Sequence, residues 1–305
     1  MAGKIAVVGS NMVDLISYVI RMPDRGETIE APAFEMGCGG KGANQAVAAA
    51  KLGADVLMVT KVGDDLFGDN TIRNFQSFGI DTRHVGKVAG TSSGVAPIFV
   101  EPSGENSILI IKGANGHLLP ADIDRAADDL KACALILLQL EVPLETVYHT
   151  IAFGRRHGIA TLLNPAPAAP DLDLDRIRGV TYLVPNETEL ALITGMPVDT
   201  PDDAGQAARS LIARGIETVI VTLGARGALL VGRDTVAAIP PVPVVPKDTT
   251  GAGDAFIGAF AHFHVQGRDL MTALSQAARY AALSITRPGT QKSYASAGDF
   301  AAFGG

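Results

Sequence analysis

The sequence is poor in features that would each define a class of protein. It has two cysteines, Cys38 and Cys133, which are too few for a disulfide framework or a cysteine-based zinc site. Its longest apolar stretches, such as residues 134–138, fall far short of the roughly 20 residues that a membrane-spanning helix needs. No basic segment with a long apolar run opens the chain, so we expect no secretory signal and a cytoplasmic location.

An excess of positive charge is also missing. The formal net charge is −7 at pH 7, which argues against recognition of a nucleic-acid backbone. Acidity does not exclude a nucleotide, because backbone amides, one or two cations and Mg²⁺ usually hold one. The six histidines show no metal-ligand spacing, and we interpret His262 and His264 as half-buried helix residues.

What the chain does contain is an alternation of short apolar runs and helical patterns. Runs rich in Val, Ile and Leu predict buried parallel strands at residues 5–8, 56–59, 134–138, 161–163, 182–184 and 219–222. Helical patterns that stop before a glycine, the residue favoured at a helix C-terminus, lie at 43–52, 66–78 and 202–214. The alternation predicts a three-layer α/β/α fold around a mainly parallel sheet.

Two segments interrupt this alternation. Residues 14–35 contain a Pro-Asp-Arg-Gly turn between short extended flanks, and residues 91–111 alternate around a Ser-Gly-Glu-Asn turn as a β-hairpin does. We expect both segments to form a small β lid inserted in one domain that spans the chain. Ala96, Ile98 and Ile110 are expected to face the ligand or a partner lid. Because exposed sheet edges invite pairing, the lid predicts a homodimer.

The strongest chemical signal is the segment Lys-Asp-Thr-Thr-Gly-Ala-Gly-Asp-Ala-Phe at residues 247–256. It follows a proline-rich run, 239–246, which we interpret as an edge segment because proline cannot donate to a central ladder. The small residues before a helix predicted at 255–265 let backbone amides converge on an anion; they are Gly251, Ala252 and Gly253. A carboxylate beside a bound phosphate is repelled unless it takes a proton, so Asp254 is a candidate general base. The alternative is a glycine-rich turn with an ordinary first-turn carboxylate.

A second glycine-rich segment, Met-Gly-Cys-Gly-Gly-Lys-Gly-Ala-Asn-Gln, occupies residues 36–45. It is not a Walker A loop, because the spacing Gly-x4-Gly-Lys-Ser/Thr is absent from the chain. Its glycines would let the backbone approach a polyhydroxylated ligand, with Lys41 and Asn44 donating to the ligand's oxygens. The alternative is a tight turn followed by a helix cap.

Together the two segments resemble both halves of the signature of the ribokinase (PfkB) carbohydrate-kinase family. Seven further blocks stand in the family's order: Gly9-Ser10 with Asp14, Gly26-Glu27-Thr28, Gly113-Ala114-Asn115, Gln139-Leu140-Glu141, 164–168, 185–189 and Thr222-Leu223-Gly224. The resemblance covers almost the whole chain. It implies the ribokinase-like fold and ATP-dependent phosphorylation of a sugar, with D-ribose at O5 as the favoured acceptor and Asp254 as the base.

Other functions stay open at this point. Within the family the alternative acceptors are 2-deoxyribose, a ketohexose or a nucleoside. A catalytically silent sugar-binding regulator is the alternative of another class, and the intact segment 251–254 argues against it.

The resemblance implies a sugar site built from loops at strand ends, where ligands of α/β proteins bind. Its residues are Met12, Asp14, Gly40, Lys41, Asn44 and Glu141. Asp14 and Glu141 could instead be turn carboxylates. Many ribokinases have Asn where this chain has Met12, and Asn11 is no simple replacement because neighbours in an extended segment point to opposite faces. Met12 therefore puts the identity of the sugar in question.

For the nucleotide, the resemblance implies contacts from Asn186, Glu189, Thr222, Gly224, Gly227, Gly253 and Ala278. Glu189 would bind Mg²⁺ through water. The alternative for residues 186–189 is an ordinary helix cap with an acidic first turn.

The resemblance also implies a monovalent cation, K⁺, beside the anion-binding loop. The matching positions are Asp248, Thr250, Ser284, Arg287, Gly289 and Ser293. Asp248 would supply the negative charge. The alternative is a structural loop tied by hydrogen bonds.

Overall fold

The computed structural model describes residues 3–103 and 105–303. The strands are β1 Lys4–Val8, β2 Met12–Tyr18, β3 Ala33–Gly39, β4 Val56–Gly63, β5 Asp81–Val88, β6 Val95–Val100, β7 Asn106–Ile108, β8 Cys133–Leu138, β9 Ala160–Leu163, β10 Tyr182–Leu183, β11 Thr218–Thr222, β12 Ala228–Val231 and β13 Val236–Ile239. The helices are α1 Lys41–Lys51, α2 Leu66–Ser77, α3 Pro120–Arg125, α4 Ala127–Lys131, α5 Leu144–His157, α6 Glu187–Thr194, α7 Pro201–Ala213, α8 Ala252–Val265, α9 Leu270–Ser284 and α10 Ala297–Ala302. None of these helices is long and apolar enough to cross a membrane.

The large sheet has the order β13-β12-β11-β10-β9-β8-β1-β4-β5. Its pairings from β11 to β5 are parallel, whereas β12 runs antiparallel to both of its neighbours. The six strands predicted from apolar runs are confirmed, and the run at 56–59 is the first half of a strand that continues to Gly63.

Helices cover both faces of this sheet. Along β1, Ile5 and Val7 face one core with α1, α8 and α9, whereas Ala6 and Val8 face a second core with α5 and α7. Strands buried on both faces need apolar residues at every position, which explains the unbroken runs in the sequence. The three-layer α/β/α prediction is confirmed.

The small sheet has the order β3-β2-β6-β7, and the residues predicted to form a lid supply most of it. The hairpin prediction is confirmed for β6 and β7, but β7 ends at Ile108 and so excludes Ile110, which is 51% exposed. The turn predicted between the two strands includes Gly104, which lies outside the described residues. Strands β2 and β3 start and end beyond the predicted limits, at Met12 and Gly39, and so carry the sheet to the edge of the large domain.

The interpretation of residues 239–246 as an edge segment is wrong. The edge strand is β13, and it ends at Ile239 because the prolines that follow cannot continue the ladder. The proline-rich run instead lines a cleft beside α8. Helix α8 itself begins at Ala252, three residues before the predicted start, because Gly251 caps it.

Candidate active site

The candidate base lies where the N-terminal parts of α1 and α8 meet. Asp254 is 7% exposed, and its two carboxylate oxygens accept hydrogen bonds from Asn44 Nδ2 and Gln45 Nε2, both at 3.0 Å. The helices approach closely because residue 258 is glycine: a Cβ there would lie 2.6 Å from the Ala48 Cβ. Small residues at this crossing therefore bring the base to the glycine-rich segment of α1.

The start of α8 has the form of an anion site. Gly251 caps the 14-residue helix at φ 75°, and a Cβ there would lie 2.7 Å from the Tyr294 hydroxyl, so this position requires glycine. The Ala252 amide donates to the Thr249 carbonyl at 3.2 Å and is thus already engaged. A Cβ on Gly253 would meet nothing within 4 Å, so a ligand can approach this backbone closely. The helix dipole favours a phosphate here.

Two adjoining clefts meet at this helix start. The smaller, of about 190 Å³, is lined by Asp254, Lys41 and Glu189, among others. The larger, of about 700 Å³, extends away along α9 and has apolar walls that include Phe256 and Ile285. Six of the predicted nucleotide residues line the larger cleft: Asn186, Thr222, Gly224, Gly227, Gly253 and Ala278. Together the two clefts have room for a nucleotide, with the nucleobase at one end and the phosphates at the other.

Lys41 supplies the positive charge of the smaller cleft. Burial opposes its charge, but the carboxylates of Asp254, Glu141 and Glu189 together outweigh burial and raise the pKa of its ammonium. The side chain is thus a cation placed among three carboxylates, as transfer of a charged phosphoryl group requires.

Two of the predicted sugar residues, Asp14 of β2 and Glu141 just after β8, lie close to each other. Glu141 is 7% exposed and accepts from the Lys41 backbone amide at 2.9 Å and from the Ser10 hydroxyl. Asp14 lies against Gly39, where a Cβ would be 2.3 Å from the Asp14 Oδ2. Burial first, and then the charge of Glu141, raise the pKa of Asp14 to about 7. The two carboxylates are therefore close enough for the charge of Glu141 to act on Asp14.

Met12 lies on the same face of β2 as Asp14, because alternate residues of a strand share a face. It is 2% exposed, and its sulfur is 3.7 Å from Asn115 Nδ2. The neighbouring Asn11 amide points elsewhere and donates to Thr60 Oγ1 at 2.9 Å and to the Lys61 carbonyl at 2.8 Å. This face of β2 therefore carries a thioether at position 12, and the Asn11 amide does not replace it.

Residues 186–189 form a helix cap. The Asn186 side chain accepts from the Glu189 amide at 2.8 Å, and the Glu189 carboxylate accepts from the Asn186 amide at 2.9 Å. Burial, opposed by the Asn186 amide and Lys41, raises the pKa of Glu189. The cap accounts for the motif, and it holds Glu189 at the wall of the smaller cleft.

The predicted cation loop is closed by hydrogen bonds. The Asp248 carboxylate accepts from the amides of Thr250 at 2.9 Å and Gly289 at 2.7 Å. Burial opposes the charge of Asp248, but these donors outweigh it and lower its pKa. Ser284 and Ser293 are buried and donate their hydroxyls to carbonyls of their own segments, whereas Arg287 is exposed. One ionised carboxylate with hydroxyl and backbone oxygens fits a monovalent cation, whereas no cluster of three or more His, Cys, Asp or Glu side chains suits a metal ion in the residues described.

The sequence interpretation missed Gln45, Gln139 and Gln291. Gln45 binds Asp254, Gln139 binds Gln45, and Gln291 binds Asn44. A polar residue within an alanine-rich helix was the available signal for Gln45, since a buried amide needs a partner.

Comparison with known proteins identifies the family of this chain. The family model described as pfkB family carbohydrate kinase matches residues 2–297. The chain belongs to this family. It is 62% identical to the deoxyribokinase of Salmonella typhi over 97% of both chains. It is 40% identical to the ribokinase of Bacillus subtilis over 94% of both. The solved structure of Arabidopsis thaliana ribokinase complexed with ribose and ATP matches with a TM-score of 0.92 at 31% identity over 99% of both chains.

These matches confirm the resemblance and the ribokinase-like fold. This pfkB carbohydrate kinase is a sugar kinase that uses ATP.

Proposed function

We propose that this kinase phosphorylates 2-deoxy-D-ribose at O5 in preference to D-ribose, with ATP as the donor. The observation that carries the proposal is Met12, a buried thioether on the face of β2 that holds Asp14. The two sugars differ by one hydroxyl, and a hydroxyl buried against a thioether loses its hydrogen bonds to water. The 62% identity to a deoxyribokinase, against about 40% to ribokinases, agrees with this choice.

D-ribose is the second candidate. The sequence resemblance favours it, and the ribokinase solved with ribose and ATP shares the fold over nearly the whole chain. Asp14 and Glu141 offer acceptors to hydroxyls that both sugars have, so these residues do not separate the two.

The test compares kcat/KM for the two sugars with ATP and Mg²⁺, with product NMR to locate the phosphate. We expect kcat/KM for 2-deoxy-D-ribose to exceed that for D-ribose about tenfold or more, since an unpaired buried hydroxyl costs about 1–3 kcal/mol. Met12→Asn restores an amide and should shift the ratio towards ribose. Met12→Leu keeps the surface apolar and serves as the matched control. Equal ratios in wild type and Met12→Asn would contradict the proposal.

In the proposed mechanism Asp254 removes the proton of the acceptor hydroxyl as the γ-phosphoryl group arrives. The backbone at the start of α8, at Gly251 and Gly253, would hold the phosphate, since the Ala252 amide is engaged by Thr249, and Lys41 balances charge in the cleft. Mg²⁺ would screen the phosphates, with Glu189 contacting one of its waters.

We also propose a monovalent cation site and a homodimer. The cation, K⁺, would lie at the loop closed by Asp248 and Gly289. The dimer would form through the outer face of the small sheet, where Phe34 and Met36 are 60% and 46% exposed.

A further inference from the structure

A line of buried amide side chains ends on Asp254. Asn44 Nδ2 donates to one carboxylate oxygen and Gln45 Nε2 to the other, each at 3.0 Å. Asn44 is 5% exposed and Gln45 is 0% exposed, so water does not compete for either bond. The two donors are consecutive residues of α1, and each binds a different oxygen of the carboxylate.

Each of these amides is oriented by another. Gln139 Nε2 donates to Gln45 Oε1 at 2.6 Å, and Gln291 Nε2 donates to Asn44 Oδ1 at 3.0 Å. A carboxylate can only accept hydrogen bonds, so the amide nitrogens must face Asp254 and the amide oxygens must face away. All four hydrogen bonds therefore run in one direction, towards Asp254. Gln139 and Gln291 fix the orientation of Gln45 and Asn44 by donating to their amide oxygens.

The space for Gln139 is made by glycines. A Cβ on Gly9 would lie 2.0 Å from the Gln139 Oε1, and one on Gly42 would lie 2.9 Å from the same atom. This oxygen is buried and has no hydrogen-bond partner within the described part of the chain. Buried acceptors without partners are uncommon, and an apolar side chain would fill the same space without this cost. Packing alone does not explain the glutamine.

We infer that Gln45 is a positioning residue for the catalytic base, and that Gln139 acts through it. The inference rests on the proposed role of Asp254. A carboxylate can rotate about its last side-chain torsion, which has only a broad preference. Two donors on opposite oxygens stop this rotation and leave the remaining lone pairs directed at the acceptor hydroxyl, which must lie within a few tenths of an ångström of the reactive geometry.

The test replaces Gln45 with Met, which has a similar size and no donor. We expect kcat to fall about tenfold while KM for the sugar stays within about twofold, because the loss affects proton removal. Gln139→Met, one step further away, should lower kcat by a smaller factor and also leave KM for the sugar nearly unchanged.

Thr150→Val is the matched control for lost stability. The Thr150 hydroxyl is fully buried and donates to the Thr146 carbonyl at 2.7 Å within α5, away from Asp254. This variant should lower the melting temperature and leave kcat unchanged. If Gln45→Met and Gln139→Met lower the melting temperature but keep the wild-type kcat, their role is packing and the inference is overturned. If instead Asp254→Asn keeps its turnover, it is the assignment of the base that fails.

Discussion

Asp14 lies in surroundings that oppose its charge. Burial and the charge of Glu141 raise its pKa to about 7, so the folded enzyme binds this proton more tightly than the unfolded chain does. The stability that Asp14 contributes is therefore complete below its ordinary value near 4 and is lost as the pH rises through about 7. Such strain is tolerated where a ligand later relieves it.

Sugar binding should relieve the electrostatic strain on the Asp14 carboxylate. Hydroxyl groups that donate to the Asp14 carboxylate favour its ionised form, so we expect sugar binding to release a proton near pH 6 and to strengthen as the pH rises towards 7. Calorimetry in two buffers of different ionisation enthalpy measures the release. Asp14→Asn should bind weakly and release none. Equal proton release from both proteins would exclude Asp14 as the source.

Asp254→Asn tests the base itself. We expect kcat to fall about 10²-fold or more, because general-base catalysis typically contributes 10²–10⁴-fold. The sugar KM should change far less. Steady-state kinetics of the purified variant gives the answer, and a near-normal kcat would rule out Asp254 as the base.

Residues with a chemical motif were predictable, and residues that act through others were not. Asp254, Lys41, Gly251 and Gly253, all named from their motifs, line one cleft. Gln45 escaped because its importance lies in one contact with a residue 209 positions away in the chain. Only the packing of α1 on α8 creates this contact.

Among the secondary-structure elements, the buried strands were predictable because their apolar runs reflect burial on both faces. The proline-rich run after β13 was not. Its prolines lack amide donors, which excludes a central strand. An edge strand and a cleft wall are both compatible with missing donors, and only the tertiary structure distinguishes them.

Two segments, the one that precedes α8 and the one that follows α9, should respond together to monovalent cations. The Asp248 carboxylate lies within hydrogen-bond distance of both segments, so a cation there would stabilise the anion-binding backbone next to it. We expect K⁺ to raise both the rate and the melting temperature more than Na⁺ does at equal ionic strength. Asp248→Asn should lose this difference. Equal melting temperatures and rates in K⁺ and in K⁺-free Tris would contradict the site.

For the whole molecule, the small sheet is the surface through which we propose that two copies pair. One of its faces holds Asp14 and Met12 against the site, and the other exposes Phe34 and Met36 to solvent. Exposed apolar side chains on an open sheet favour pairing with a second copy.

Analytical ultracentrifugation tests the dimer. We expect a dimer for the wild type and a monomer for Met36→Asp, because a charge would be buried in the interface. Val236→Asp is the matched control: Val236 is also 46% exposed, and it lies on the edge strand of the other sheet. A wild-type monomer, or a dimer that survives in Met36→Asp, would contradict this interface.

The close crossing of α1 and α8 at Gly258 has a consequence for how this enzyme can evolve. The two helices join the base and the glycine-rich segment into one rigid body, whereas Met12 and Asp14 belong to the small sheet. Mutations in the small sheet can therefore change which sugar is accepted without disturbing the alignment of the base. Under the proposed roles, the sugar preference set at Met12 can change during evolution while the contacts that hold Asp254 are kept.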